Sequence, residues 1–169
     1  LMCASHNGEA IHLKTVQKMA EKLGVDESHY ECGSHRPHDK QTRLNIKTPS
    51  VFHNNCSGKH SGMLAIAKKL NVKTSGYTQQ THPVQKCIFN HLSNIIGSSN
   101  FSTGIDGCSA PTPFLTLRTI AQLFLKLGSN EYSELITAYQ AMSKHPYMVG
   151  GKNRFDTNFI SALKGRGIC

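Results

Sequence analysis

The chain has 169 residues, of which 38% are hydrophobic, so it can bury a sizeable core, and we expect one domain over residues 1–169. The formal net charge is +9, but the 19 lysines and arginines are dispersed and no aromatic residues alternate with them, which argues against a nucleic-acid-binding protein. No apolar run approaches the roughly 20 residues of a membrane span and no export signal is visible, so we expect a soluble, cytoplasmic protein.

The six cysteines are widely spaced, at positions 3, 32, 56, 87, 108 and 169, and none forms a Cys-x-x-Cys pair. This spacing argues against a disulfide framework, a zinc ribbon and a thioredoxin-type site, so we expect reduced thiols. The chain begins at Leu1 without an initiator methionine and stops at Cys169 without a polar tail, so we expect a chain that is cut at both ends.

The first predicted elements are a short strand and a helix. Residues 1–4 form an apolar run typical of a buried strand, and the turn residues 5–9 follow it. Apolar residues at helical spacing then mark the buried face of a helix that Gly24 ends: Leu13, Val16, Ala20 and Leu23. Ser5 lies at the turn between strand and helix, where α/β enzymes often present a hydroxyl. It is therefore a candidate nucleophile, and the alternative is a plain N-cap.

Residues 32–38 are rich in turn formers and contain His35 and His38 beside Cys32. Two histidines near a cysteine suggest a metal site, but no helical or strand period aligns the three side chains. We therefore expect a loop that runs toward the next segment rather than a metal site.

The segment 54–63 is the densest in chemistry, because Cys56, Ser57, Lys59 and His60 fall within five consecutive residues. Apolar residues at helical spacing follow, so we expect a helix that begins near Cys56. Residues three and four apart share a helix face, which groups Cys56, Lys59 and His60 at the positive N-terminus. Such a place lowers the pKa of a thiol and attracts an anion or a metal. It also allows a cysteine nucleophile with His60 as its base.

The second half of the chain begins with a clearly delimited helix. This helix is predicted to begin with Thr81 as its cap and Pro83 in its first turn, and to end at Gly97. Its Cys87 and His91 are four residues apart, and we expect them to be packed or exposed rather than to bind a metal.

The segment 104–113 contains two glycines and two prolines, which hold a loop in one shape. It presents Asp106 and Cys108 from one side of that turn. Two core helices are predicted after it, of which the first is ended by Gly128, and a short helix lies near the end of the chain.

Four blocks stand out when the sequence is taken as a whole. They are Cys-Ala-Ser-His-x-Gly-Glu at 3–9, Asn-Cys-Ser-Gly-Lys-His-x-Gly-Met at 55–63, Gly-Ile-Asp-Gly-Cys-Ser-Ala-Pro at 104–111 and His-Pro-x-Met-Val-x-Gly-x-x-Arg-x-Asp-Thr at 145–157. In this order they resemble the thermolabile (Rhizobium-type) L-asparaginase II family. The resemblance implies hydrolysis of L-asparagine to aspartate and ammonia by a homodimer. It also implies an α+β fold similar to serine β-lactamases and glutaminases, with helices packed around an antiparallel sheet.

The resemblance implies a zinc ion as cofactor, held by residues that match Cys56, Lys59 and Cys108, with water as the fourth ligand. Two thiolates, a neutral amine and a water form a tetrahedral zinc set, which the lysine joins only when it is unprotonated. The alternative is that the two cysteines are buried structural residues. The resemblance also gives Ser5 a catalytic role in a serine–lysine pair. We expect His60 and Asp106 to orient ligands or to hold the amino and carboxylate groups of the substrate.

The resemblance places the lysine partner of Ser5 just after Cys169 or, in a second alignment, at Lys164. Ser161 and Lys164 also form a Ser-x-x-Lys spacing, which we interpret as a coincidence. A further serine and lysine of the family precede Ser5 and are not in this chain. Two alternatives to an asparaginase therefore stay open: a catalytically inactive zinc-binding fragment of such an enzyme, and a cysteine-nucleophile amidohydrolase or glutaminase.

Overall fold

A computed structural model describes residues 5–129, 131–164 and 166–168. These residues are mostly helical and contain one two-stranded antiparallel sheet, which is compatible with the predicted α+β class. In chain order the elements are α1 (Ala10–Leu23), α2 (Lys40–Asn45), α3 (Ser57–Lys69), α4 (Pro83–Ile96), β1 (Thr103–Ile105), β2 (Pro111–Pro113), α5 (Leu117–Gly128), α6 (Ser133–Lys144), α7 (Pro146–Val149) and α8 (Phe155–Leu163). The likeness to serine β-lactamases and glutaminases stays a prediction, as does the single domain. The strand expected over residues 1–4 lies outside the described residues.

Helix α1 forms where the sequence predicts it. Its side chains at helical spacing face inward, and Val16 and Ala20 are each 3% exposed. Gly24 ends the helix in the left-handed conformation, with φ of 63°, and its N–H reaches the carbonyls of Ala20 and Glu21. Glycine adopts this φ without the steric cost of a Cβ, so the predicted end of α1 is confirmed.

Helix α3 is the centre of the larger of two hydrophobic clusters. It begins directly after Cys56, as predicted, and packs against α1 and α4. Eight of its 13 residues are buried, and Leu64 and Ala67 are completely so. The smaller cluster, Met142, Val149 and Ile160, lies where α6, α7 and α8 meet. Because α3 is buried along most of its length, the polar residues at its N-terminus are held in one position.

Helix α4 confirms the predicted bounds, with Pro83 at its start and Gly97 at its end, but its cap differs. The side chain of His82, not Thr81, accepts a hydrogen bond from the N–H of Val84. Residues with a side-chain oxygen, such as the expected threonine, are the usual caps, and an imidazole nitrogen provides the same acceptor here.

Helix α5 differs from the core helix that the sequence predicts. It packs against α4 and α6, yet none of its twelve side chains is buried, and Leu117 and Leu125 are 82% and 74% exposed. In α6, Met142 alone is buried. Hydrophobic periodicity shows which face of a helix is apolar, whereas another element must lie against that face to bury it.

The segment predicted as a rigid loop is a short hairpin with a rigid turn. Strands β1 and β2 pair Gly104 with Thr112, and the turn between them is closed by a hydrogen bond of 2.9 Å from the N–H of Asp106 to the carbonyl of Ala110. Ser109 has φ of 70° and donates its N–H to the carbonyl of Asp106. The turn therefore holds Asp106 and Cys108 in one place, as the sequence predicts.

Among the described residues, no helix combines the length and the hydrophobicity that are needed to cross a bilayer.

Candidate functional site

A single cleft of about 870 Å³ collects most of the residues that the sequence analysis selected. The loop before α1, the loop before α2, the N-terminus of α3 and the β1–β2 turn form its walls. The lining residues are Ser5, His35, Arg36, His38, Arg43, Asn54, Asn55, Cys56, Lys59, Asp106, Gly107 and Cys108. Segments that are far apart in sequence thus contribute to one surface.

Cys56 and Cys108 meet in this cleft. Their sulfur atoms and a carboxylate oxygen of Asp106 all lie within 4.8 Å of one another. Asp106 joins the group, because its Oδ2 accepts hydrogen bonds from Lys59 Nζ at 3.0 Å and from the Cys108 thiol at 3.3 Å. The three predicted metal ligands are therefore neighbours, and Asp106 is a fourth donor that bridges two of them.

The amine of Lys59 is charged in this arrangement. Burial lowers its pKa, but the hydrogen bond to Asp106 and the charges of Cys56 and Cys108 outweigh burial, so the net shift is upward. In return the hydrogen bond from Lys59 holds the pKa of Asp106 below its usual value. Lys59 must therefore lose its proton and its ion pair before it can bind a metal.

The predicted lowering of the Cys56 pKa is wrong for the protein without a cation. Burial raises this pKa to about 11 and outweighs the nearby Lys59. The neighbouring side chains of Cys108 and Asp106 raise the pKa further. The N-terminus of α3 and the Lys59 ammonium stabilise a Cys56 thiolate. Partial burial and the nearby Asp106 carboxylate destabilise it by more.

The donor set fits a zinc ion. In tetrahedral zinc sites with sulfur ligands about 2.3 Å from the metal, neighbouring ligands are about 3.8 Å apart. Cys56, Asp106 and Cys108 lie within 4.8 Å of one another, so only small side-chain movements are needed. Thiolates with a nitrogen or oxygen donor are also the ligands that zinc prefers.

Ser5 lies on the wall of the same cleft and is exposed. Its Oγ accepts a hydrogen bond of 2.7 Å from Asn55 Nδ2. The N-cap of α1 is Glu9, four residues later, so the alternative interpretation of Ser5 as a plain N-cap is wrong. The hydroxyl instead faces the space in which a ligand would lie.

His60 lies behind the wall of the cleft and is not one of its lining residues. The side chain is 0% exposed, and its Nδ1 is 2.6 Å from the hydroxyl of Tyr77. Within the described part of the chain, its Nε2 has no hydrogen-bond partner. Burial lowers the pKa of His60 to about 4, so the ring is neutral near pH 7. Its substrate contact stays a prediction, whereas Asp106 lies on the cleft surface.

Sequence reasoning missed His35, His38, Arg43 and Asn55. The loop at 32–38 was predicted correctly as a loop, but its two histidine rings, 5.3 Å apart, line the cleft. His35 Nε2 is 2.8 Å from Asn55 Oδ1, a contact between residues 20 positions apart that no local period can indicate. The available signal was composition, because a loop dense in His and Arg leads directly to the chemically dense segment.

Two pairs of candidate residues from the sequence lie outside the cleft: Ser161 with Lys164, and Cys87 with His91. Lys164 ends α8 and does not line the cleft, and the hydroxyl of Ser161 donates to the carbonyl of Thr157. Within the described residues, Cys87 is a free thiol, and neither it nor His91 joins a cluster of metal-ligating side chains.

A search of curated proteins finds no match. A model of the L-asparaginase II family matches residues 1–169, which include both cysteines of the cleft, Lys59, Asp106 and Ser5. The match spans all four blocks that carry the sequence resemblance, so the chain belongs to the L-asparaginase II family.

Proposed function

We propose that the protein is an L-asparagine amidohydrolase in which Ser5 is the nucleophile. Membership of the L-asparaginase II family supports this activity. The observation that carries it in the structure is the shared cleft, in which the exposed Ser5 lies with Cys56, Lys59, Asp106 and Cys108. A hydroxyl beside a polar, charged cleft suits attack on an amide of a small polar substrate.

The cleft has the charges that a zwitterionic amino acid requires. Arg36 and Arg43 line it with positive charge, and Asp106 lines it with negative charge. Guanidinium groups bind carboxylates well, and a carboxylate binds an ammonium group. We assign the substrate carboxylate to the arginines and its amino group to Asp106.

In the proposed mechanism, Ser5 Oγ attacks the carbon of the side-chain amide and loses its proton to a base. The amide nitrogen takes up a proton and leaves as ammonia, and water then releases aspartate from the serine ester. The family resemblance assigns the base to a lysine. Lys59 does not fit that role, because its ion pair with Asp106 keeps it protonated, and as a zinc ligand its nitrogen would have no free lone pair.

We propose that Cys56, Lys59 and Cys108 hold a zinc ion, with Asp106 beside it. When bound, the ion supplies positive charge that polarises the site and helps to position the substrate. The protein's own part is to release protons from both thiols and from Lys59, and to keep these groups together on α3 and the β1–β2 turn. We also propose a homodimer, as the family resemblance implies, and a cytoplasmic location, which the widely spaced cysteines favour.

The alternative in which Cys56 is the nucleophile and His60 its base has less support. His60 is buried with its Nδ1 on Tyr77, so it does not face the cleft. The pKa of Cys56 is raised to about 11, so little of the reactive thiolate is present near pH 7.

The test is ammonia release from L-asparagine and from L-glutamine by the full-length protein that contains this chain, compared with Ser5→Ala. We expect release from asparagine, and a loss of about a thousandfold or more in kcat for Ser5→Ala, because the nucleophile is absent. Ser99→Ala, a change at an exposed serine outside the cleft, is the matched control. Normal turnover by Ser5→Ala would end the role of Ser5. Zinc binding without ammonia release from either amide would favour a non-enzymatic zinc-binding module.

A further inference from the structure

The side chain of Asn55 links the proposed nucleophile to a histidine that the sequence analysis left in a plain loop. Asn55 Nδ2 donates to Ser5 Oγ at 2.7 Å, and Asn55 Oδ1 lies 2.8 Å from His35 Nε2. All three residues line the cleft. We infer that Asn55 is a positioning residue that orients the Ser5 hydroxyl, and that His35 holds the backbone of Asn55 in place. This inference rests on the proposed function.

The backbone keeps Ser5 and Asn55 in register. The N–H of His6, the residue after Ser5, donates to the carbonyl of Asn55 at 3.3 Å. Asn55 therefore holds the Ser5 loop at two points, by its main chain and by its side chain. Because Asn55 directly precedes the N-cap of the buried helix α3, the loop is fixed to a rigid element.

The orientation of the Asn55 amide decides what the Ser5 hydroxyl can do. With the amide nitrogen toward Ser5, the N–H occupies a lone pair of Oγ and leaves the hydroxyl proton free for a base. With the amide reversed, Oδ1 would accept that proton and hold it away from a base. The observed orientation is therefore the one that suits a nucleophile that must lose its proton.

His35 holds Asn55 in this place. Its Nδ1 is 2.8 Å from the carbonyl of Arg36, which can only accept, so Nδ1 carries the proton and this contact anchors the ring. Its Nε2 accepts the main-chain N–H of Asn55 at 3.2 Å. His35 therefore fixes the backbone of Asn55 beside the Ser5 loop.

The first test compares Asn55→Asp with the wild type. Aspartate has the same shape, but both of its oxygens accept, so it cannot donate to Ser5 Oγ. We expect kcat for asparagine to fall about tenfold or more with KM changed less than about twofold, because the loss affects nucleophile orientation rather than substrate binding. Asn94→Asp, at an exposed position of α4, is the matched control and keeps the wild-type kcat.

A second readout does not require turnover of asparagine. The rate at which a fluorophosphonate modifies Ser5, followed by peptide mass spectrometry, reports the reactivity of the hydroxyl itself. We expect modification of Ser5 in the wild type and in Asn94→Asp, and a rate about tenfold lower in Asn55→Asp. An unchanged rate in Asn55→Asp, or no modification of Ser5 in the wild type, would overturn the inference. Ser5 modification without ammonia release would overturn the proposed function alone.

The role of His35 is tested with two amide substitutions. Glutamine places its amide near the position of Nε2, where the amide oxygen can accept the main-chain N–H of Asn55, whereas asparagine places its amide near the position of Nδ1. We expect His35→Gln to keep most of the Ser5 modification rate and His35→Asn to lose it as Asn55→Asp does. Equal rates for the two variants would remove His35 from the inference, and this pair gives an answer even when Asn55→Asp fails to fold. His91→Gln, at an exposed position of α4, is the control.

Discussion

At Lys59 and Cys56, protons and a metal ion compete for the same atoms. Lys59 donates to Asp106 at 3.0 Å, and burial raises the pKa of Cys56 to about 11. Each group becomes a metal ligand only after losing a proton, so binding of a divalent cation must release protons. The affinity of the site is therefore expected to increase with pH.

We predict that zinc stabilises the wild-type protein and that the effect is greater at pH 8 than at pH 6. At free zinc about 100 times its dissociation constant, the free energy of unfolding should rise by about 2.7 kcal/mol. Cys56→Ser and Cys108→Ser should lose this stabilisation, whereas Cys87→Ser, on α4 and outside the cleft, should retain it. Thermal unfolding with zinc and with a chelator measures the effect. Equal stabilisation of Cys56→Ser and the wild type would contradict the proposed site.

Among the elements, the loop over residues 5–9 depends on contacts from distant parts of the chain. The N–H of Asn7 donates to the carbonyl of Gly150 at 2.8 Å, and Glu9 accepts hydrogen bonds from the hydroxyl of Tyr147 and the N–H of Lys152. Gly8 has φ of 74°, and a Cβ there would lie 2.8 Å from the carbonyl oxygen of His53. The position of Ser5 thus depends on packing that a side chain at Gly8 would disturb.

We predict that Gly8→Ala destabilises the protein more than Gly24→Ala does. Both glycines have positive φ, but a Cβ at Gly24 meets nothing within 4 Å. Gly24→Ala should cost about 1 kcal/mol for the left-handed backbone alone, and Gly8→Ala about 2–4 kcal/mol, because a backbone oxygen must also move. Urea unfolding measures both. Equal losses would show that the contact with His53 is relieved easily.

In the molecule as a whole, buried neutral histidines make stability depend on pH. His6 and His60 are 4% and 0% exposed, and burial is the largest cause that lowers their pKa values, to about 3 and about 4. In the unfolded chain the same groups have pKa values near 6.5. Below that pH the unfolded state binds more protons than the folded state, so protonation favours unfolding.

We predict that the free energy of unfolding changes little between about pH 8 and 7 and decreases as the pH falls from 6.5 toward 4. Each of the two histidines should contribute on the order of 2 kcal/mol of loss between pH 6.5 and 5. His60→Asn should flatten this dependence, because asparagine places an amide oxygen near the position of Nδ1, where it can accept from Tyr77, and has no proton to gain, whereas the exposed His91→Asn should not. Urea unfolding from pH 8 to 5 measures it. Stability that does not change over this range would contradict the argument.

The bounds of α1, α3 and α4 were predictable from sequence, because caps, glycine ends and apolar spacing act within a few residues. The chemistry of the cleft was also predictable in part, since Cys56, Lys59, Asp106 and Cys108 were selected from their motifs and lie together. The core role given to α5 was wrong, because its periodicity did not show what would lie against its apolar face.

By itself the sequence determined which residues carry the chemistry, where the main helices begin and end, and the family to which the chain belongs. Only the tertiary structure decided that His60 is buried behind the cleft, that the Cys56 pKa is raised, and that Asn55 contacts both Ser5 and His35. The physical reason is the separation along the chain over which each kind of interaction acts. A helix end depends on its nearest residues, whereas burial and side-chain contacts depend on which distant segments pack together.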